Sequence, residues 1–146
     1  MNVSTPKTDA KWSVLGSRKS PHWATDSGVY ADLDREFGFT LDPCALGESM
    51  GLMRSWHGER VYCNPPYGRG VGLWLGKAHE AIVSVFLLPS RTDTRWFHEY
   101  APMANEIRFL RGRLRFSRGG QEHNSNAPFP SVLLVFVNTS QLEATK

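Results

Sequence analysis

The sequence predicts an α/β fold with a mainly parallel sheet and antiparallel strands near the C-terminus. Predicted helices and short strands alternate along the chain, as they do in α/β layers. The run IVSVFLLP at 82–89 is apolar except for Ser84, which is typical of a strand covered on both faces. A chain of 146 residues suits one core, so we expect a single domain at 21–140 between a flexible arm at 1–20 and a tail at 141–146.

The N-terminal half is predicted to contain one helix and two short strands. The arm is polar and aperiodic, with Trp12 as its only anchor. An amphipathic helix begins at Thr25 or Asp26 and ends at Gly38, because good capping residues flank an apolar face with a spacing of four, formed by Val29, Leu33 and Phe37. Strands are expected at FTLDP (39–43) and RVYCN (60–64), with an irregular segment or one helical turn at 46–56.

Helices and strands are also predicted to alternate in the C-terminal half of the chain. VGLWLGKAHEA (71–81) reads as a helix with one apolar side, and the apolar strand at 82–89 follows it. DTRWFHEYA (93–101) is a helix for which Asp93 is a good N-cap. The segments at 105–117 and 130–137 read as strands, separated by a polar loop at 118–130.

Composition excludes several classes of protein. The hydrophobic share is 40% and the charged share 21%, which are ordinary values for a globular chain. No apolar run approaches the roughly 20 residues that a membrane span needs, and the polar N-terminus lacks a signal peptide's apolar core, which favours a cytoplasmic location. Cys44 and Cys63 are too few for a disulfide framework and lack metal-site spacing, so we expect reduced thiols and no metal.

Arginines are concentrated in RFLRGRLRFSR at 108–118. Arg111, Arg113 and Arg115 alternate with Gly112 and Leu114, which predicts a strand with one basic face and one inward face. Such a face either solubilises the sheet or contacts phosphates, since clustered arginines are typical of nucleic-acid binders. The cluster alone does not distinguish the two interpretations.

Three predicted strands end in polar residues combined with proline: LDPCA (41–45), NPPY (64–67) and LPSRTD (88–93). Ligands of open α/β sheets bind at such carboxyl ends. Asp93 is better explained as a helix cap, and Asp42 fits a turn and a ligand contact equally well. A turn needs neither two prolines nor an aromatic ring, so residues 64–67 indicate a functional site.

The four residues at 64–67 suit chemistry on a planar amine. The side-chain oxygen of Asn64 and the carbonyl of Pro65 can accept two hydrogen bonds from one NH₂ group, and Pro66 stiffens the backbone that carries them. Tyr67 offers a ring on which a flat heterocycle can stack, as for a base flipped out of a duplex. This arrangement suits alkylation of an exocyclic amine.

Asn-Pro-Pro-Tyr at a strand end resembles the catalytic motif of S-adenosylmethionine-dependent amino methyltransferases, and LDPCA resembles the start of their cofactor loop. More narrowly, the chain resembles the small phage and prophage DNA N-6-adenine methyltransferase family. The resemblance rests on five segments that occur in the same order, at 22–45, 61–78, 87–99, 106–116 and 127–136.

The resemblance implies a compact Rossmann-like methyltransferase that moves a methyl group from S-adenosylmethionine to N-6 of adenine in double-stranded DNA, without a metal. It implies a catalytic motif at Asn64, Pro65, Pro66 and Tyr67. It implies cofactor contacts at Asp42, Pro43 and Cys44, with Trp23 and Thr25 closing over the cofactor. A phage origin, a place in the host cytoplasm and protection from restriction follow from the same resemblance.

The chain has no room for a separate target-recognition domain. Recognition would come from the loop at 117–130, from the arginine strand with Arg111, Arg113 and Arg115, from the N-terminal arm, or from a second subunit in a homodimer. The chemistry also fits methylation of an RNA base or of a protein glutamine amide. A protein of a different class, a DNA-binding module without catalytic turnover, is the other alternative. The cofactor loop has only two glycines, Gly47 and Gly51, which fits such a module, whereas the intact Asn-Pro-Pro-Tyr motif argues against it.

Overall fold

The computed structural model describes residues 12–15, 26–118 and 121–145, of which 12–15, 26–27, 116–118 and 121–125 are described by their backbone only. The helices are α1 Asp26–Phe37, α2 Glu48–Met53, α3 Val71–Leu75, α4 Arg95–Tyr100 and α5 Thr139–Ala144. The strands are β1 Trp12–Leu15, β2 Arg60–Cys63, β3 Val83–Pro89, β4 Glu106–Leu110, β5 Arg115–Arg118, β6 Gln121–Asn126 and β7 Ser131–Val137. Short 3₁₀ turns lie at Pro43–Leu46, Ala78–Glu80 and Ala101–Met103.

Five strands form one mixed sheet in the order β1-β4-β7-β3-β2. Strands β1, β4, β3 and β2 run in one direction, and β7 runs against them between β4 and β3. A single parallel bridge from Leu41 to Val61 extends the sheet beyond β2. Strands β5 and β6 form a separate antiparallel pair. The α/β class and the antiparallel C-terminal strand are therefore confirmed.

Both faces of the sheet are covered by helices. Alternate residues of β7 point to opposite sides, and this explains why its apolar run is continuous. Val132 and Leu134 pack in a cluster with Trp74 of α3. Leu133 lies in the cluster that contains Leu33 of α1. The sheet is thus sandwiched between α1 on one side and the shorter helices on the other.

Helix α1 matches the prediction in its position and its end. Leu33 is buried, and Gly38 ends the helix with a φ of 64°, its N–H bonded to the Asp34 carbonyl at 2.8 Å. Nε of Arg60, the first residue of β2, donates to the carbonyl of Phe37 at 2.5 Å. The C-terminal end of α1 therefore lies at the edge where the parallel strands begin.

The predictions for the two chain ends are partly wrong. Residues 12–15 of the expected arm form β1, which pairs in parallel with β4, while 1–11 and 16–20 lie outside the described residues. Such pairing is non-local and leaves no local periodicity to detect. Residues 141–144 of the expected tail belong to α5, where the Gln141 side chain accepts from the Gly58 N–H at 2.9 Å and donates to the Glu80 carbonyl at 2.7 Å.

The predicted strand at 105–117 is also wrong as a single element. It is divided into β4 and β5 by a turn in which Gly112 has a φ of 77°. The predicted loop at 118–130 contains β6, the partner of β5. The dipeptide Gly119-Gly120 between two strands is a hairpin signal that identifies this pairing in the sequence.

Three smaller elements differ from expectation. The predicted strand at 39–43 contributes only the bridge at Leu41. Helix α3 ends at Leu75, and a separate 3₁₀ turn follows where the prediction continued the helix to 81. The N-cap of α4 is Thr94, whose Oγ1 accepts from the Phe97 N–H at 3.3 Å, so Asp93 is not the cap.

Candidate active site

The polar strand ends predicted from the sequence lie along one edge of the sheet. Because β4, β3 and β2 run in the same direction, their C-terminal ends meet at that edge, where β7 begins. In order across the edge lie the turn after β4, the segment before β7, the loop after β3, Asn64 after β2, and Asp42 after the Leu41 bridge. With strands about 4.8 Å apart, Asn64 and the turn after β4 are separated by about 14 Å.

Asp42 sits at the start of the 3₁₀ turn Pro43–Leu46 and is half-buried. Its Oδ1 accepts from the backbone N–H groups of Cys44 and Ala45 at 3.2 and 3.3 Å. Burial raises the pKa of the Asp42 carboxyl, and these two backbone N–H groups oppose the rise. Among the described residues, no lysine or arginine forms an ion pair with this carboxylate. The turn-forming interpretation of Asp42 is therefore correct, yet the carboxylate still offers Oδ2 to a ligand.

Helix α2 packs against the 3₁₀ turn that follows Asp42, and Gly51 is the point of closest approach. A Cβ on Gly51 would lie 2.2 Å from the Pro43 carbonyl oxygen and 2.7 Å from the Trp74 ring, so only glycine permits this approach. The Trp56 indole N–H donates to the Gly51 carbonyl at 3.0 Å. Gly47, with a φ of 91°, links the 3₁₀ turn to α2. The sparse glycines of the predicted cofactor loop thus have defined structural roles.

Asn64 and Tyr67 are joined directly. The Tyr67 hydroxyl donates a hydrogen bond of 2.7 Å to Oδ1 of Asn64, which fixes the orientation of the amide. Pro65 between them is buried and Pro66 is exposed. Oδ1 of Asn64 keeps a second lone pair for another donor. The Pro65 carbonyl accepts no hydrogen bond from a described residue, so two acceptors are available within one turn.

Two residues that the sequence analysis did not single out, Phe129 and Arg91, complete this part of the edge. The Phe129 ring meets Tyr67 edge-on, with centroids 5.2 Å apart and an interplanar angle of 83°. The Arg91 guanidinium lies over the Phe129 ring at 5.7 Å. The Ser90 N–H donates to the Pro130 carbonyl at 2.8 Å, which ties the loop after β3 to the segment before β7. For Phe129, the available sequence signal was an aromatic between two prolines directly before a strand.

A contact between two thiols joins the Asp42 turn to the Asn64 segment. Sγ of Cys44 lies 3.2 Å from Sγ of Cys63, the last residue of β2. Both cysteines are free. Cys44, which the resemblance implies is a cofactor contact, is therefore placed beside the segment predicted to be catalytic, whereas Pro43 is buried and its carbonyl lies against Gly51.

The arginines do not share one strand face, so that prediction is wrong. Arg111 and Arg113 are exposed in the turn between β4 and β5, and Gly112 is exposed with them rather than inward-facing. Leu114 is buried, as expected. Arg113 donates to the Ala127 carbonyl at 3.4 Å, and Arg115 donates to Oδ1 of Asn126 at 3.1 Å. The turn nevertheless lies at the same sheet edge as Asn64.

Trp23 and Thr25, predicted to close over the cofactor, lie outside the described residues. Within the described ranges, no group of three or more His, Cys, Asp or Glu side chains is placed to hold a metal ion. Over the same part of the chain, no helix combines the length and apolar character needed to cross a membrane.

Comparison with known proteins identifies the family. The model of the family described as DNA N-6-adenine-methyltransferase (Dam) matches residues 13–145, which include every element from α1 to α5 and the whole sheet edge. No curated protein and no solved structure matches the chain. Since the matched region covers nearly the full length, the chain belongs to the DNA N-6-adenine-methyltransferase (Dam) family.

Proposed function

We propose that this protein transfers a methyl group from S-adenosylmethionine to the N-6 amine of adenine in double-stranded DNA, on a Rossmann-like methyltransferase fold. Family membership supports the reaction. The observation that carries the proposal for this chain is the Asn64 amide, oriented by Tyr67 at the C-terminal edge of the sheet beside a half-buried carboxylate.

The Asp42 turn fits S-adenosylmethionine by its chemistry. The carboxylate is partly desolvated and has no cationic partner among the described residues, so a ligand with hydroxyl or cationic groups would complete it. Cys44 joins the Asp42 turn to the Asn64 segment through its contact with Cys63, and Cys44 and Pro43 would line the same site. When bound, S-adenosylmethionine supplies a methyl group on a cationic sulfur that is already a good leaving group.

The target amine would be held by Asn64 and Pro65. Oδ1 of Asn64 and the Pro65 carbonyl accept its two N–H groups, which directs the nitrogen lone pair away from the ring plane. Tyr67 provides the stacking surface for the base, and Phe129 braces the Tyr67 ring. These residues position the amine and exclude water, and positioning alone is able to supply a large share of such a rate enhancement.

An adenine inside a duplex does not reach such a site, so the base must be flipped out of the stack. The exposed Arg111 and Arg113 lie at the same edge, about 14 Å from Asn64, and are suited to holding the phosphates of the flanking DNA. The family resemblance also supports a phage or prophage origin, with methylation protecting that DNA in the host cytoplasm.

The test is to incubate the purified chain with unmethylated duplex DNA and S-adenosylmethionine and to analyse the nucleosides by mass spectrometry. We expect N-6-methyldeoxyadenosine with the native chain and none with Asn64→Ala. Parallel reactions with RNA and with a glutamine-containing peptide address the alternative substrates. Methylation of either in preference to DNA would contradict the proposal, and DNA binding without any methyl transfer would indicate a binding module instead.

A further inference from the structure

The two cysteines of the chain meet at the junction of the two halves of the candidate site. Cys44 follows Asp42 by two residues, and Cys63 immediately precedes Asn64. The parallel bridge between Leu41 and Val61 brings these two segments side by side. The sulfurs are 3.2 Å apart although the residues are separated by 19 positions in the chain.

We propose that Cys44 and Cys63 form a redox modification site, whose reversible disulfide changes the geometry of the Asp42 turn and the Asn64 segment together. A disulfide has an S–S distance of about 2.05 Å, so the sulfurs must approach by roughly 1 Å. This approach requires rotation of the two side chains together with movement of the 3₁₀ turn that carries Cys44 or of the end of β2 that carries Cys63.

The two thiols differ in access, which sets the order of the reaction. Cys44 is half-buried, and Cys63 is fully buried in the core beneath the site. Burial raises the pKa of the Cys63 thiol, and the neighbouring Cys44 and Asp42 raise it further. Cys63 is therefore protected from oxidants in solution, and Cys44 is the sulfur that a peroxide meets first.

The chemistry needs a two-electron oxidant of the peroxide class. Cys44 loses its proton, its thiolate attacks one peroxide oxygen, and the O–O bond breaks to give sulfenic acid and hydroxide, which takes up the released proton to form water. The sulfur of Cys63 then attacks the Cys44 sulfur, the S–O bond breaks, and the Cys63 proton leaves with the hydroxide as a second water. Two thiols and one hydrogen peroxide thus give one disulfide and two waters, and a thiol reductant reverses the change.

Both sides of the candidate site are linked to these sulfurs by short stretches of backbone. The N–H of Cys44 is itself one of the donors to the Asp42 carboxylate at 3.2 Å. Asn64, whose Oδ1 is bound to Tyr67, is covalently attached to Cys63. A shift of either cysteine is therefore transmitted to the carboxylate and to the amide, which must be placed within fractions of an ångström for methyl transfer.

The first test uses hydrogen peroxide on the reduced full chain and does not depend on activity. Because the chain has 2 cysteines, an internal disulfide must join this pair. We expect loss of the mass of two hydrogen atoms, a cross-linked peptide pair after proteolysis, and altered amide NMR signals at Asp42 and Asn64. Cys44→Ser and Cys63→Ala should each show neither the mass loss nor the cross-linked peptide pair, and Cys44→Ser, which lacks the sulfur that peroxide meets first, should also keep its NMR signals at Asp42 and Asn64. Covalent dimers in place of the internal bridge, or oxidation of Cys44 beyond sulfenic acid without a bridge, would overturn the proposal.

The second test measures control of the site, and this part rests on the proposed function. The oxidised chain should methylate DNA or bind S-adenosylmethionine at least about tenfold more weakly than the same preparation after reduction. Cys44→Ser, which lacks the sulfur that peroxide meets first, is compared only with itself before and after peroxide, and the ratio of its activity or affinity after treatment to that before should stay near one. A bridge that forms and leaves both properties unchanged would refute control by oxidation. If the reduced chain has no methyltransferase activity at all, the NMR changes still decide whether the modification site exists.

Discussion

The Tyr67 hydroxyl donates a 2.7 Å hydrogen bond to Oδ1 of Asn64, so the amide oxygen is held in place before any substrate arrives. The bond uses one of the two lone pairs on that oxygen and leaves the other for the target amine. A side chain that is already oriented loses little conformational freedom when the amine binds. The hydroxyl of Tyr67 therefore orients Asn64, in addition to the stacking that we propose for its ring.

Replacement of Asn64 should remove catalysis and preserve cofactor binding. Asn64→Ala deletes the acceptor that we propose meets the reacting amine, and an electrostatic contact at a reacting centre is typically worth about 10²-fold or more in rate. We expect kcat to fall at least that far while the S-adenosylmethionine Kd, measured by calorimetry, stays within a few-fold. A variant that retains most of its kcat would show that Asn64 does not hold the amine.

Removal of the Tyr67 hydroxyl separates its two roles. Tyr67→Phe keeps the ring and loses the hydrogen bond to Asn64, which is worth about 0.5–1.5 kcal/mol. We expect a loss of roughly two- to tenfold in kcat with an unchanged KM for DNA. Tyr67→Ala also loses base stacking, worth about 1–3 kcal/mol, and should raise KM as well. Equal effects of the two substitutions on KM would rule out stacking as the function of the ring.

The pKa of Asp42 predicts a stability that depends on pH. Burial raises this pKa in the folded chain, so the folded state binds the proton more tightly than the unfolded state does. Asp42 thus contributes most to stability below its unfolded pKa, and that contribution is lost as the pH rises through the folded value. Asp42→Asn removes the ionisation and keeps an oxygen for the backbone N–H groups of Cys44 and Ala45.

The free energy of unfolding of the Asp42→Asn chain, relative to that of the native chain, should therefore increase as the pH rises from 3.5 to 7. Urea unfolding at the two pH values measures this change. The same substitution should weaken S-adenosylmethionine binding by about tenfold at pH 7, since it removes the carboxylate. Asp42→Ala is the matched comparison, because it also loses the cap and should cost about 1 kcal/mol of stability. Undiminished cofactor affinity in both variants would restrict Asp42 to its turn-forming role.

Gly51 should tolerate no side chain. A Cβ there would meet the Pro43 carbonyl at 2.2 Å, so Gly51→Ala must push α2 away from the Asp42 turn. Such overpacking costs about 1–3 kcal/mol, and we expect the cofactor affinity to fall with the stability. Gly72→Ala in α3 is the control, because its Cβ would lie 3.9 Å from the nearest atom, on the Tyr100 ring. If both substitutions lower the thermal unfolding temperature equally, the close approach of Gly51 to Pro43 is not the cause of the loss of stability.

The parts of the fold that were predicted correctly depend on local signals. Helix α1 follows from the spacing of Val29, Leu33 and Phe37 and from Gly38 at its end. The end of β2 follows from Pro65 and Pro66, which have no N–H for a sheet. These features are encoded within a few residues of each other, so periodicity and proline chemistry reveal them.

The parts that were missed depend on pairing between distant segments. Strand β1 is stabilised by β4, nearly a hundred residues later in the chain. Phe129 reaches Tyr67 only because β7 is antiparallel to β3, which sets the Pro130 carbonyl against the Ser90 N–H. The alternation of Arg111, Arg113 and Arg115 is typical of a strand, but Gly112 has a positive φ and the chain makes a turn there. No local pattern distinguishes these outcomes.

The turn arginines should control the salt dependence of DNA binding. Arg111 and Arg113 are exposed at the sheet edge that carries Asn64, although Arg113 also donates to the Ala127 carbonyl, whereas Arg115 is half-buried and bonded to Asn126. Each phosphate neutralised contributes about 0.9 to the slope of log affinity against log salt. Replacing Arg111 and Arg113 with Gln should therefore flatten the slope by up to about two units and weaken binding equally on all sequences.

The matched control replaces Arg35 and Arg54 with Gln, which removes the same charge at the opposite edge of the sheet. Arg35 lies in the last turn of α1, and Arg54 pairs with Glu59 just before β2 begins. Binding should be measured on one duplex at several salt concentrations, and the control should keep the native slope because its charges are far from the site edge. If the Arg111 and Arg113 variant keeps its slope and methylates different adenines, the turn reads bases rather than phosphates. If neither property changes, the two arginines form only a solvated surface.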